Sequence, residues 1–265
     1  MKMGLRYVQP VMFVMQRFAV SVVALLPLFL ILRNKIPRDK STLVRLLILC
    51  LIYVFMTIVQ AIGLSQESSG LSAVLTYTQP LFVFLLAIPF LKENVTKTKL
   101  LGITVGFAGV LIIFANRTGF FTLSSAFFML LGAFLWATTT VYYKKFLDSV
   151  DAFVTQFSEV LVGFLPLILL GIKENSFSLP SDTTYIGILI ISSIGGLATA
   201  NVIWLILLKQ EEATALSISS LIVPAITIIF GWQLLGENLG GEVLIGSALT
   251  LGGVWLVNLR KKKGV

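Results

Sequence analysis

Histidine is absent from this chain of 265 residues, and there is a single cysteine, Cys50. The first absence removes His-ligated zinc, haem held on His, Ser-His-Asp triads and imidazole general bases. The second removes an internal disulfide and any multi-cysteine metal cluster. Cys50 lies in an apolar run and reads as a small packed side chain. Charge is scarce as well. Asp, Glu, Lys and Arg make up 12% of the residues, against about 25% in soluble domains. No G-x-x-x-x-G-K-[ST] loop is present, so the chain lacks that motif for ATP hydrolysis. No cofactor is expected. Long hydrophilic stretches are missing too: the longest connections, 33–42 and 173–182, hold ten residues each. Neither has room for a folded domain, so any chemistry belongs inside the apolar part of the chain or at its edges.

What is abundant is hydrocarbon. Apolar residues reach 57% and the mean hydropathy is +0.98. A hydrocarbon core of about 30 Å takes roughly 20 apolar residues as helix. Nine stretches meet that length, at 10–32, 43–63, 70–91, 98–115, 121–143, 151–172, 183–208, 212–235 and 242–259. The fold expected is all-α integral membrane with nine transmembrane helices. The first stretch is too long for a cleavable signal, is interrupted by Arg17, and has no small-residue cleavage site after it.

The net charge of +8 would raise nucleic acid as a partner for a soluble protein. Here its placement argues otherwise. With alternating sides assigned to the nine stretches, Lys2, Arg6, Arg117 and Lys173 share one side. The other side collects 15 Lys and Arg, at 33–45, 92–99, 144–145, 209 and 260–263. Positive residues stay on the cytoplasmic side, so the excess charge is a topology signal and no nucleic-acid partner is expected. The C-terminus is expected in the cytoplasm and residue 1 outside. The partners expected are a lipid bilayer, a small-molecule solute and a proton or another coupling ion. Localisation follows as the cell membrane, multi-pass.

Comparison of residue i with residue i+144 reveals an internal repeat. Pro80 matches Pro224, Glu93-Asn94 matches Glu237-Asn238, and Gly102 and Gly109 match Gly246 and Gly253. Over 51 ungapped positions there are 11 identities. At offset 140, Phe13, Val14 and Gln16 match Phe153, Val154 and Gln156. Eight spans pair in this way; the span at 121–143 has no partner. The complete unit is five helices, and an odd number of crossings inverts the second copy. An inverted-topology repeat is common in secondary transporters, which bind substrate near the midplane between the halves. The division expected is 1–120 with four helices and 121–265 with five, and the pairing predicts a tenth helix upstream of residue 1.

The segment SISSLIVPAITIIFGWQLLGENLGGEVLIGSALTLGGVWLV (217–257) resembles the end of an EamA domain, of the drug/metabolite transporter superfamily. AVLTYTQPLFVFLLAIPFLKENVTKTKLLGITVGFAGVLII (73–113), GAFLWATTTVYYKKF (132–146) and PVMFVMQRFAVSVVALLPL (10–28) fit the same pattern. The resemblance implies ten helices in two halves, both termini cytoplasmic, and carriage of small organic solutes. This chain departs from it by lacking the first helix. The motifs concern packing, so they speak to fold more than to substrate.

Polar residues inside the spans carry the functional reading, because hydrocarbon leaves them unsatisfied. Arg17 and Glu159 are the clearest intramembrane charges, each costing roughly 2.5–3.5 kcal/mol at a helix centre on insertion scales. Both are candidates for coupling, with structural polar contacts as the alternative. Substrate-binding candidates come from stripes of aromatic and polar residues. Tyr53 and Gln60 share one helix face, Trp136 and Thr140 another, and Asn201 and Trp204 a third; Tyr77, Gln79 and Ser220 complete the set. The competing reading makes them ordinary core or interface residues. Pro80 and Pro224 sit mid-span, where each removes a backbone hydrogen bond; they are hinge candidates or static bends. Glu93 and Glu237 end helices and read mainly as caps, each followed by an Asn tolerant of a left-handed conformation. Gly102, Gly106 and Gly109 line one face and admit a close helix, within the chain or in a homodimer.

Two classes of function remain. The leading one is a secondary transporter of small organic metabolites, working by alternating access and expected to export. The alternative is an integral membrane lipid-modifying enzyme, or a non-transporting membrane subunit. An enzyme needs a cluster of acids or bases at a membrane face, and the loop acids here are few, Asp148, Asp151 and Glu174 among them.

Overall fold

Pro10 opens helix α1 (Pro10–Leu32) at its first turn, where a missing N–H removes nothing from the hydrogen-bond ladder. Asp39 starts α2 (Lys40–Gln66) by accepting from the Thr42 N–H at 2.6 Å. These belong to a computed structural model that describes residues 1–66, 72, 75–94, 96–114, 123–173, 179–223 and 241–258. The other described helices are α3 (Gln79–Leu91), α4 (Lys97–Phe114), α5 (Leu123–Phe146), α6 (Ala152–Lys173), α7 (Thr183–Gln210), α8 (Ala213–Ser219) and α9 (Gly241–Asn258). Every regular element among the described residues is helical. Five helical stretches there are long and apolar enough to cross a membrane: Pro10–Lys35, Lys40–Gln66, Leu123–Phe146, Ala152–Leu169 and Thr183–Gln210.

Two compact units divide the chain, and neither is a continuous half of it. One unit is formed by 1–66 with 142–210, the other by 67–141 with 211–265. Helix α5 passes from the second into the first near its C-terminal end.

In the first unit α1 packs on α6, α2 and the middle of α7, and α2 packs on α6. Gly163 makes the α6 approach possible, since a Cβ there would lie 2.5 Å from the Phe18 ring and 3.1 Å from Val54. Phe29 stacks on Phe157 with centroids 3.9 Å apart. The faces turned away from this core carry exposed Val23, Ile31, Leu169 and Ile191, as lipid contact requires. Helix ends are closed by side chains. Lys2 Nζ donates to the Leu64 and Ser65 carbonyls at the end of α2, and Lys144 Nζ donates to Lys209 O at the end of α7. Both place a cation on carbonyls that have no partner within the helix.

The middle of α7 departs from α-geometry: Ile191–Thr199 is π-helical. A π-turn widens the helix and leaves carbonyls poorly matched to the regular ladder, and such segments occur often at functional sites. Here Ser192 O and Ser193 O take donors from α1 instead.

In the second unit α4 and α9 lie backbone to backbone. A Cβ on Gly109 would stand 2.5 Å from Gly246 O, and one on Gly253 would stand 2.5 Å from Gly106 N. Thr250 Oγ1 donates to Gly246 O at 2.8 Å in the same crossing. The glycine stripe of α4 is thus used inside the chain, against Gly246 and Gly253 of α9.

Pro80 is not mid-helix. Tyr77 and Thr78 form a turn, and α3 begins afresh at Gln79 with Pro80 in its first turn. The proline that the ladder cannot accommodate therefore marks a new start. A second break, at Ser220–Leu221 after α8, lies just ahead of the matching Pro224; Pro224 itself, and Glu237, fall outside the described residues. The prolines inside described helices are Pro27, Pro89 and Pro166. The left-handed residue that ends α3 is Lys92 (φ 57°), not Asn94. Its neighbour Glu93 caps at a distance: the carboxylate accepts from Ala213 N at 2.7 Å and Thr214 N at 3.3 Å, at the start of α8. Lys99 Nζ joins this group, 2.7 Å from Glu212 and 3.8 Å from Glu93.

Candidate functional site

The sequence candidates separate between the two units. Arg17, Tyr53, Gln60, Glu159, Asn201 and Trp204 belong to the first, and Tyr77, Gln79, Pro80, Trp136, Thr140 and Ser220 to the second.

In the second unit most of these side chains have local duties. Tyr77 packs with Leu81 and Phe84 against Ile103, Val110, Ala215, Ile218, Leu221 and Val257. Thr139 and Thr140 both donate back to the Trp136 carbonyl, at 2.8 and 2.9 Å, a pattern that bends helices. Ser220 Oγ donates to Ser217 O at 2.6 Å across the break after α8. Gln79 differs. It is fully buried at the start of α3, and neither its amide oxygen nor its nitrogen has a hydrogen-bond partner.

The first unit gathers polar groups around one tyrosine. Tyr53, buried on α2, stacks on Phe18 with centroids 6.2 Å apart. Asn201 Nδ2 on α7 donates to its hydroxyl. Gln156 on α6 lies beside that hydroxyl, yet neither polar atom of its amide makes a well-formed hydrogen bond. Arg17 and Glu159 both lie within electrostatic reach of Tyr53. Gln156 and Glu159, three residues apart, share a face of α6. Gln60 and Trp204 are half-buried further along α2 and α7.

Arg17 does not snorkel to an aqueous edge; it is 6% exposed. Its Nη2 donates to Ser192 O at 2.9 Å and its guanidinium stands 5.9 Å from the centre of the Phe13 ring. Its Nε has no partner. Four residues on, Ser21 Oγ donates to Ser193 O at 3.2 Å. The π-helical carbonyls are thereby satisfied by α1. Glu159 is 3% exposed and, among the described residues, pairs with no cation. Arg17 likewise pairs with no acid there. Two ionisable side chains of opposite type thus lie in one apolar unit without pairing with each other.

Sequence reasoning did not single out Gln16, Ser21, Gln156 and Tyr185, further polar residues buried in the same unit. Tyr185 donates to Gln16 Oε1, and its ring packs 5.2 Å from that of Tyr7. The available signal was the offset-140 match of Gln16 with Gln156, two glutamines kept at equivalent places in apolar helices.

Outside the spans, three aspartates begin helices. The hydrogen bonds from Thr42, side chain first, hold the Asp39 carboxyl below its ordinary value. The Thr184 N–H does the same for Asp182. At Asp151, partial burial pushes upward but is outweighed by the hydrogen bond from Lys35, at 2.8 Å, and by the Val154 and Phe153 N–H groups. These groups fix where α2, α6 and α7 start.

Comparison with known proteins follows the same lines. The model of the EamA-like transporter family matches residues 1–115 and again 123–259. An uncharacterised transporter from the sor 3′ region of Acidianus ambivalens is 32% identical over 202 residues, 76% of this chain and 78% of that protein. An uncharacterised transporter of Archaeoglobus fulgidus is 26% identical over 264 residues, 98% of this chain and 92% of its own. A solved crystal structure with 17% sequence identity superposes at a TM-score of 0.82, over 98% of this chain and 92% of that one, and so shares the fold. The chain is a multi-pass membrane transporter and belongs to the EamA-like transporter family, within the drug/metabolite transporter superfamily.

Proposed function

We propose that the protein is a secondary transporter that exports small organic metabolites across the cell membrane by alternating access, with its C-terminus in the cytoplasm. The observation that carries this reading is the pair of buried, separately held ionisable side chains, Arg17 and Glu159, around Tyr53 inside apolar helices. Charges in such places are costly and mark solute or ion pathways. Glu159, with no cation beside it, is the group that exchanges a coupling proton. Tyr53, Asn201 and Gln156 hold the polar end of the solute within the first unit.

The two matches of the family model, before and after residue 120, support a division into two repeats of nine helices in all. So do the breaks just ahead of Pro80 and Pro224, and the reciprocal glycine contacts of α4 and α9. Discontinuous helices at matching places in inverted halves are where transporters bind and move, which supports a hinge at each proline. The test is solute flux. Purified protein in liposomes, loaded with a metabolite panel and a pH gradient, is expected to exchange at least one organic solute. Turnover of a lipid without any flux would replace the transporter reading with the enzyme one.

A further inference from the structure

We infer that the first unit holds an anionic phospholipid, its phosphate between Arg45 and Lys145 beside the Phe146 ring and its acyl chain along the exposed face of α2. Phe146 is the last residue of α5 and is exposed. The Arg45 guanidinium, from the second turn of α2, stands 5.5 Å from the centre of that ring, and Lys145 Nζ stands 5.3 Å from it. Tyr142, one turn earlier in α5, lays its ring 4.9 Å from that of Phe146. Two exposed cations from distant parts of the chain thus meet at one aromatic ring, all within the first unit. The acids at this end are engaged elsewhere. Asp151 pairs with Lys35 at 2.8 Å and Asp148 lies 3.7 Å from Lys144. Asp39 is within electrostatic reach of Arg45, but it is spent on the Thr42 N–H at the start of α2. Arg45 forms no ion pair among the described residues.

Like charges drawn to one place repel, and the negative face of a ring offsets only part of that repulsion. An anion removes the rest. The parallel N–H groups of a guanidinium match two phosphate oxygens, and an ammonium adds a point charge beside them. What makes the anion a lipid is the surface that adjoins it. Arg45 lies about 7.5 Å along α2 from its first residue, Lys40. That is the level at which basic and aromatic side chains meet lipid headgroups. From there inward, Ile48, Leu51 and Phe55 follow at helical spacing on one exposed face of α2. A free phosphate would leave this apolar face unused, and an acidic peptide would have to lie on hydrocarbon. An acyl chain below a phosphate covers it. The inference does not depend on which solute is carried.

The probes are dioleoylphosphatidylglycerol, dioleoylphosphatidylcholine with the same chains, and glycerol 3-phosphate, each added to the delipidated full chain in detergent. Binding is read as a shift in thermal unfolding, and oligomeric state by light scattering. The anionic lipid is expected to stabilise the protein well below the concentration at which the zwitterionic one does, and glycerol 3-phosphate to have no effect. Arg45→Gln with Lys145→Gln, both at exposed positions, is expected to raise the half-saturating concentration of the anionic lipid about tenfold or more, with the lipid-free melting temperature unchanged. Arg38→Gln with Lys40→Gln removes the same charge from exposed residues of the same end and is expected to change it by roughly twofold at most. Arg45→Lys keeps the charge, loses the fork, and is expected to raise it about threefold. Equal stabilisation by the two lipids overturns the inference, and so does an equal loss in the two double variants, where net charge alone would be at work. Saturation by glycerol 3-phosphate at the lipid's own concentration overturns the lipid in favour of a free anion. A lipid-free dimer that Arg45→Gln with Lys145→Gln dissociates overturns it in favour of a contact between two copies of the chain.

Discussion

Gly252 and Gly253 are adjacent, and alanine at each is predicted to act in opposite directions. A Cβ on Gly253 would lie 2.5 Å from Gly106 N, 2.6 Å from Gly102 O and 2.7 Å from Gly106 Cα. All three are backbone atoms, so no rotamer change relieves the overlap, and α4 and α9 must part by about 1 Å to restore ordinary packing distance. Overpacking of this kind costs about 1–3 kcal/mol, and rigid backbone on both sides places Gly253→Ala at the upper end. Alanine's higher helix propensity returns about 1 kcal/mol, leaving a net loss of about 1–2 kcal/mol. A Cβ on Gly252 meets nothing within 4 Å, so Gly252→Ala keeps only the propensity gain. The two variants should differ by about 2–3 kcal/mol, or roughly 5–10 °C in melting temperature for a chain of this size. Thermal unfolding in detergent, followed by tryptophan fluorescence, reads the difference. Equal melting temperatures would show that the helices are not in backbone contact, and the role given to the glycine stripe would fall.

Other predictions follow from the same structure. Glu159→Gln removes the buried acid near Cys50, Tyr53 and Tyr143, and is expected to flatten the pH dependence of transport; an unchanged profile assigns Glu159 to packing. Glu93→Gln weakens the cap on α8 and its pairing with Lys99, at a cost of about 1 kcal/mol. Combination with Lys99→Met should be less than additive in a double-mutant melt, because the two share one network. The Asp151 carboxyl is held below its ordinary value, so its contribution is fully present at neutral pH. It is lost only as pH falls below 3.8; Asp151→Asn should therefore lower stability at pH 7 and erase that acid-side loss, as pH-dependent melts would read. A cysteine at Asp182 should react with a membrane-impermeant maleimide from outside intact cells, against the buried Cys50 as silent background; labelling only after lysis would invert the topology.

Five of the apolar runs read from the sequence, at 10–32, 43–63, 121–143, 151–172 and 183–208, are long helices in the structure. Hydrocarbon imposes a length and leaves the backbone no partner but itself, so a run of apolar residues is close to a statement of structure. Interruptions were harder to read. The π-helical stretch in α7 contains Ser192-Ser193 and Gly195-Gly196, small residues that any close-packed helix would tolerate. What accompanies the altered geometry is Arg17 and Ser21, some 170 residues away in the chain. The break at Tyr77–Thr78 was misread for a related reason. A proline in an apolar run is equally compatible with a kink and with a new helix start, and the surrounding turn decides.

The polar group around Tyr53 shows where local spacing stops informing. Helical periodicity sets Asn201 beside Trp204 and Tyr53 beside Gln60, each on its own face. It could not pair Asn201 with Tyr53, because that contact depends on how α2 and α7 pack. The offset-140 sequence match carried more than was drawn from it. Gln16 and Gln156 match at offset 140 in the sequence, and both are buried in the same unit. Gln16 accepts a hydrogen bond from Tyr185, whereas Gln156 lies beside the Tyr53 hydroxyl without a well-formed hydrogen bond. Packing alone would favour satisfying both or replacing the second with an apolar residue. A buried glutamine satisfied in one helix and left without a well-formed bond in the other is a difference that two matching stretches of sequence do not show.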